Sequence, residues 1–173
     1  MSANILMFKC CLLTSRMEEE GISNIYIDNL MNKISKTFWG TFSIDNIPLI
    51  QNDIFSVIVN LSKQNEKGTH FIAVSSRKNR IIYFDSLGNQ NIDITLKKYL
   101  KKYKKQIIYS NFQLQNLFSN HCGFFCISFI LCMENNISLE NFLKIFNRKN
   151  LYLNDYICIE IVKFYISHLY LRN

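Results

Sequence analysis

Apolar positions recur along this chain with two different periods, and the changes from one to the other mark out its elements. Between Ser23 and about Lys36, the residues Ile27, Leu30, Met31 and Ile34 fall on one side of a helix, and Ser23 offers the side-chain oxygen of an N-cap. Phe38 to Pro48 mixes aromatics with Gly40, Asp45 and Pro48 and reads as a loop laid over the core. Ile54 to Leu61 is a buried strand by its length and apolar character. Thr69 to Ser76 and Arg80 to Ser86 are rich in β-branched and aromatic residues and are separated by a short polar stretch, the pattern of an antiparallel hairpin. From Ile92 to about Lys105, Leu96, Tyr99, Leu100 and Tyr103 return at helical spacing with lysines between them. Gln106 to Ser110 follows as a strand. A polar loop, Asn111 to His121, then leads into Cys122 to Met133, an almost wholly apolar run that predicts a helix buried on nearly all sides. Ser138 and Asn154 are the expected caps of two further helices, the last ending near Arg172. The fold class is α+β: a small central sheet, one buried helix and flanking helices, in a single domain over residues 1–173.

Composition narrows the setting. Apolar residues make up 49% of the chain against five glycines and one proline, which argues for a packed core and against disorder or a fibrous repeat. The longest apolar stretch, Phe124 to Met133, falls well short of the roughly 20 residues that cross a bilayer. The Met1 to Leu13 patch has no convincing cleavage site after it, so neither a membrane span nor a secretory leader is expected. Six cysteines, Cys10, Cys11, Cys122, Cys126, Cys132 and Cys158, form no C-x-x-C pair and sit mostly within apolar runs. That pattern fits free thiols in a reducing, intracellular compartment better than a disulfide framework. His121, Cys122 and Cys126 have poor zinc spacing without a second Cys/His pair, so no metal is expected. The formal net charge of +7 favours contact with acidic partners, nucleic acid among them. Lys97, Lys98, Lys101, Lys102, Lys104 and Lys105 concentrate much of that charge on the polar side of one helix, where a solvated face is the default and DNA contact the functional reading.

One constellation carries chemistry. Cys122 stands at the first turn of the apolar helix, where unpaired backbone N–H groups and the positive dipole end favour a thiolate. Gly123 beside it leaves room for a substrate backbone. A nucleophile needs a base, and the chain has three histidines, His70, His121 and His168. His168 lies near the C-terminus, and His121 adjoins Cys122, where chain direction hinders the ring from turning back onto the sulfur. His70 remains, on a predicted strand. If the hairpin loop is Arg77-Lys78, His70 faces Asp85; if it is Lys78-Asn79, the two lie diagonally, still on one face. Asp85 can then fix the imidazole tautomer and hold the other nitrogen toward Cys122. An oxyanion needs donors, and Gln115, seven residues before Cys122, is the best side-chain amide, with Gln113 competing and the Cys122 N–H as the second donor. Cys126, one turn further on, reads as core packing.

These residues together resemble the adenain family of viral maturation proteases and its relatives, the SUMO and ubiquitin-like-protein proteases, which share the order His, Asp or Glu, Gln, Cys. The resemblance rests on His70-Phe71-Ile72-Ala73-Val74, Tyr83-Phe84-Asp85-Ser86-Leu87-Gly88, the run from Gln115 through Ser119 to Cys122-Gly123, and Phe125-Cys126. Phe38-Trp39-Gly40-Thr41-Phe42 is similar to the adenain segment before the first strand, so the likeness covers about Phe38 to Met133. The seven-residue step from Gln115 to Cys122 is the adenain spacing; it is usually one shorter in the SUMO proteases. Phe71 departs from the family's Trp after the histidine, and Asp85 stands where adenain has Glu. The resemblance implies a papain-like cysteine protease core, with Cys122, His70, Asp85 and Gln115 as catalytic residues. It also implies cleavage after small residues such as Gly in precursor proteins during particle maturation, in the virion or host cell. Removal of SUMO or ubiquitin-like tags needs the same residues and is the alternative; a basic nucleic-acid-binding domain with an incidental cysteine is the reading from another class. No cofactor is expected for the chemistry. Adenain is activated by DNA and by a peptide joined through a disulfide, but Tyr99 to Ser110 offers no cysteine for such a link. A monomer acting on polypeptides is expected.

Overall fold

The computed structural model describes residues 21–89 and 91–171. The expectations placed on Met1 to Leu13 and on Cys10 and Cys11 lie outside these residues. Five strands form one mixed sheet in the order β1-β2-β3-β4-β5, with β1 Phe38–Ser43, β2 Phe55–Asn60, β3 Phe71–Arg77, β4 Arg80–Phe84 and β5 Gln106–Tyr109. The central three are antiparallel, and each outer strand runs parallel to its neighbour. The helices are α1 Asn24–Ile34, α2 Ile94–Lys101, α3 Cys122–Glu134, α4 Leu139–Lys144 and α5 Leu151–Leu171.

Both faces of the sheet are covered, which explains why β2 and β3 read as apolar runs without alternation. Ile58, Ala73, Ile82 and Phe84 point to one face and pack with α1, α3 and α5. Val57, Val59, Ile72, Val74, Ile81 and Tyr83 point to the other, against Leu96, Tyr99 and Leu100 of α2. The helix α3 is surrounded: every residue from Gly123 to Met133 is buried. Phe84 at the end of β4 stacks on Phe129 of α3 at 4.6 Å between ring centroids and meets the edge of Phe142 of α4 at 5.4 Å. This aromatic contact fixes the sheet against the helical layer beside Asp85.

Three expectations need correction. Phe38 to Ser43 is not a loop but strand β1; Gly40, at φ 148°, sits where its pairing with β2 breaks register between Phe38 and Thr41. Asn154 is no cap. The helix begins earlier, at Leu151, with the Asn150 side chain accepting from the Leu153 N–H, and Asn154 lies fully buried inside the first turns. Gly123 leaves no space for substrate, because a Cβ there would come within 2.6 Å of Ile22; its small size lets α3 pack against the approach to α1. The caps at Ser23 and Ser138 are as expected, accepting from the Tyr26 and Asn141 N–H groups.

Candidate active site

The hairpin register decides where His70 sits relative to Asp85. Arg77 pairs with Arg80, so the loop is Lys78-Asn79 and His70 and Asp85 are diagonal neighbours just beyond the paired ends of β3 and β4. The diagonal is bridged: His70 Nε2 and Asp85 Oδ1 lie 2.8 Å apart. Asp85 is 1% exposed, and its carboxylate is aimed by the Leu87 N–H, which donates to Oδ1 at 2.9 Å. From the end of β5, the Ser110 hydroxyl accepts from the Asp85 N–H at 3.0 Å. With Nε2 committed to Asp85, Nδ1 is the imidazole nitrogen left for the thiol. Cys122 opens α3 and lines the same groove as His70.

Burial alone would lower the His70 pKa, but the Asp85 hydrogen bond, the Cys122 contact and the charges of both outweigh it and push the imidazole up to about 9. Raised above the ordinary value of 6.5, this group contributes stability that is complete below pH ~6.5 and is lost as the pH climbs through ~9. Thermal unfolding of the wild type is therefore expected to weaken across that window. An Asp85→Asn variant should show a flatter dependence over the same range; identical slopes would contradict the assignment.

Gln115 is 3% exposed, and its amide is oriented at both ends. The Ser86 hydroxyl donates to Oε1 at 2.7 Å, which leaves Nε2 as the donating end. One Nε2 hydrogen goes to the Ser119 carbonyl at 2.8 Å, and the amide has a second N–H to offer at the groove that Gln115 lines. The Gln115 backbone is pinned too, its N–H reaching the Ser86 carbonyl at 3.0 Å. Gln113 donates instead to the Gln115 carbonyl and so supports the loop. Gly88, at φ 67°, makes the close approach possible: a Cβ there would lie 2.6 Å from the Gln113 nitrogen. Cys122, His70 and Gln115 line one groove of about 970 Å³, together with Gly21 to Ile25, Leu117 and Glu66 to Thr69.

The other candidates separate cleanly from this site. His121 faces Asp155, 3.7 Å from Nδ1 to Oδ2, and His168 Nδ1 donates to the Phe164 carbonyl of its own helix at 2.9 Å. Cys126 is buried, and burial pushes its thiol well up, as befits core packing. Among the described residues no cluster of His, Cys, Asp and Glu could hold a metal ion. Lys97, Lys98, Lys101, Lys102 and Lys104 are exposed on or beside α2, on the sheet face opposite α3. Lys105 does not join them. Its Nζ reaches the Asp53 carbonyl at 2.9 Å and the Ser76 hydroxyl at 3.0 Å, with the Asp53 carboxylate at 3.3 Å, so it ties the start of β2 to the end of β3.

Sequence reasoning missed Ser86, Ser110 and Asp155. Ser86 could have been found, since a polar pair Asp85-Ser86 closing an apolar strand must be satisfied once buried. Ser110 and Asp155 are brought in by tertiary contacts that no local pattern announces.

The chain is an α+β fold with helices on both faces of a mixed sheet and a cysteine at the start of a buried helix, in one groove with a histidine at the rim of the sheet. Among solved structures, the ASFV pS273R protease superimposes with a TM-score of 0.55 at 20% identity, covering 85% of this chain and 66% of that one. A selenomethionine form of that protease gives 0.48 at 21% identity over 68% of this chain and 44% of that one. SUMO protease Ulp1, solved with its catalytic cysteine oxidised to a sulfenic acid, gives 0.36 at 17% identity over 62% and 52%, and these two lower scores carry no weight. This chain thus spans less than two thirds of the length of each. No family model and no curated protein matches the sequence.

Proposed function

We propose that this protein is a cysteine peptidase that forms an acyl-enzyme on Cys122. The observation carrying the reading is the 2.8 Å His70–Asp85 contact at the rim of the same groove that holds Cys122 and the oriented amide of Gln115. In this mechanism the Cys122 sulfur attacks a peptide carbonyl, and the oxygen takes up the negative charge facing Gln115 Nε2 and the Cys122 N–H, a first-turn donor with no partner inside the helix. His70 passes its proton to the leaving nitrogen as the C–N bond breaks, giving a thioester and a free amine. A water molecule then attacks the thioester, His70 takes its proton, and the C–S bond breaks to release the acid and restore the Cys122 thiolate beside protonated His70.

The groove is partly open to solvent, and Gly21 and Gly68 are among the residues that line it, which suits a polypeptide substrate. The substrate reading is precursor cleavage after small residues such as Gly during viral particle maturation, supported by the adenain-like Gln115 to Cys122 spacing and by the fold shared with the ASFV protease. Removal of ubiquitin-like tags uses the same chemistry, and comparing a ubiquitin-like fusion with a free Gly-containing peptide separates the two. A further role in nucleic-acid contact is favoured by the five exposed lysines around α2, and would show as affinity for duplex DNA that falls steeply with salt.

The decisive test is to incubate the protein with an electrophilic peptide ending in Gly and identify the modified residue by mass spectrometry. Modification at Cys122, and its loss in His70→Ala, is expected. Labelling spread over several cysteines, or none, would overturn the proposal.

A further inference from the structure

The start of α5 reaches across to the oxyanion loop with two consecutive side chains. Asn154, fully buried, donates from Nδ2 to the Leu114 carbonyl at 3.0 Å. Asp155, also buried, accepts from the Asn116 N–H through Oδ1 at 3.3 Å. The residues immediately before and after Gln115 are therefore both held by α5. Asn154 is itself fixed, its Nδ2 also donating to the Asn147 carbonyl at 2.8 Å and its Oδ1 accepting from the Asn147 N–H at 2.7 Å. The second carboxylate oxygen of Asp155 faces His121, the residue preceding the nucleophile, at 3.7 Å. One carboxylate thus meets both ends of the segment that runs from the oxyanion amide to the sulfur.

Burying a carboxylate is costly unless charge and hydrogen bonds compensate it, and packing alone would be served as well by an apolar residue. Asp155 plays no part in the proton transfers of the proposed mechanism. Resting on the peptidase reading, we infer that Asp155 is a positioning residue: through the Asn116 N–H and His121 it holds the 115–121 loop so that Gln115 Nε2 is aimed at the developing oxyanion. Ser86 sets which end of the amide donates; Asp155 sets where the backbone carrying that amide sits. The nucleophile is fixed separately, by α3.

A role that runs through Gln115 has a signature that general destabilisation lacks. Loss of one oxyanion donor lowers kcat by about 10²–10³ with little change in KM, so Asp155→Ala is expected to lower kcat for a peptide ester at least tenfold with KM kept within about threefold. Alkylation of Cys122 by iodoacetamide, which forms no oxyanion, should stay within about twofold of wild type. In a Gln115→Ala background the same substitution should change kcat by less than twofold, because coupled residues are non-additive. Asp155→Asn, which keeps the acceptor for Asn116, should recover most of the rate. Asp155→Leu fills the site without an acceptor and supplies the same comparison if Asp155→Ala does not fold. An equal loss in both backgrounds, a parallel fall in alkylation, or an unchanged kcat would each overturn the inference. Absence of turnover and of peptide-electrophile labelling in the wild type would instead overturn the peptidase reading on which it rests.

Discussion

Cys122→Ala is expected to lower kcat by on the order of 10⁴-fold or more while leaving the fold intact, and the same loss is expected from His70→Ala. The sulfur lies at the groove rather than within the core, so its removal opens no large cavity. The informative variant is the double one. A nucleophile and a base that act as one unit are grossly non-additive, so Cys122→Ala with His70→Ala should be scarcely slower than either alone. Multiplicative losses would mean that the two residues act independently, and the His70–Asp85 contact would then be structural. Asp85→Ala should cost less than either, since it orients the base and does not touch substrate.

The second large effect concerns stability. Phe84→Ala is expected to destabilise the protein by about 3–5 kcal/mol, because it removes a fully buried ring whose neighbours, Phe129 and Phe142, belong to two helices and cannot both close the gap. For a chain of this size that corresponds to a Tm lower by about 6–20 °C. Phe118→Ala is the control: that ring is 90% exposed and its loss should lie within about 0.5 kcal/mol. Urea unfolding measures both, and similar midpoints for the two variants would show that the stack is not what holds the layers together.

The sequence made most of this legible, for identifiable reasons. Helix α3 declared itself because no polar residue interrupts it enough to define a solvent face, and the hairpin because its β-branched runs flank a short polar loop. The pairing of His70 with Asp85 survived uncertainty in the loop because either two-residue turn keeps both on one side. What stayed hidden depended on partners distant in sequence. Strand β1 contains Gly40 and exposes Trp39, so its pattern resembles a loop until β2 supplies a parallel partner. Asn154 has the chemistry of a cap; only the arrival of Leu114 and Asn147 around it turns the same amide into a buried clamp. Lys105 belongs to the lysine run in sequence, but the carbonyl of Asp53 claims it.

The sulfur comes from the helical layer and the imidazole from the rim of the sheet, with the Phe84–Phe129 stack as the hinge pin between them. Under the proposed function, turnover is a gauge of how firmly the sheet and this helical layer are clamped. A loosened state that kept its helices and strands but let the slabs slide would give an unaltered far-UV spectrum and hydrolyse nothing.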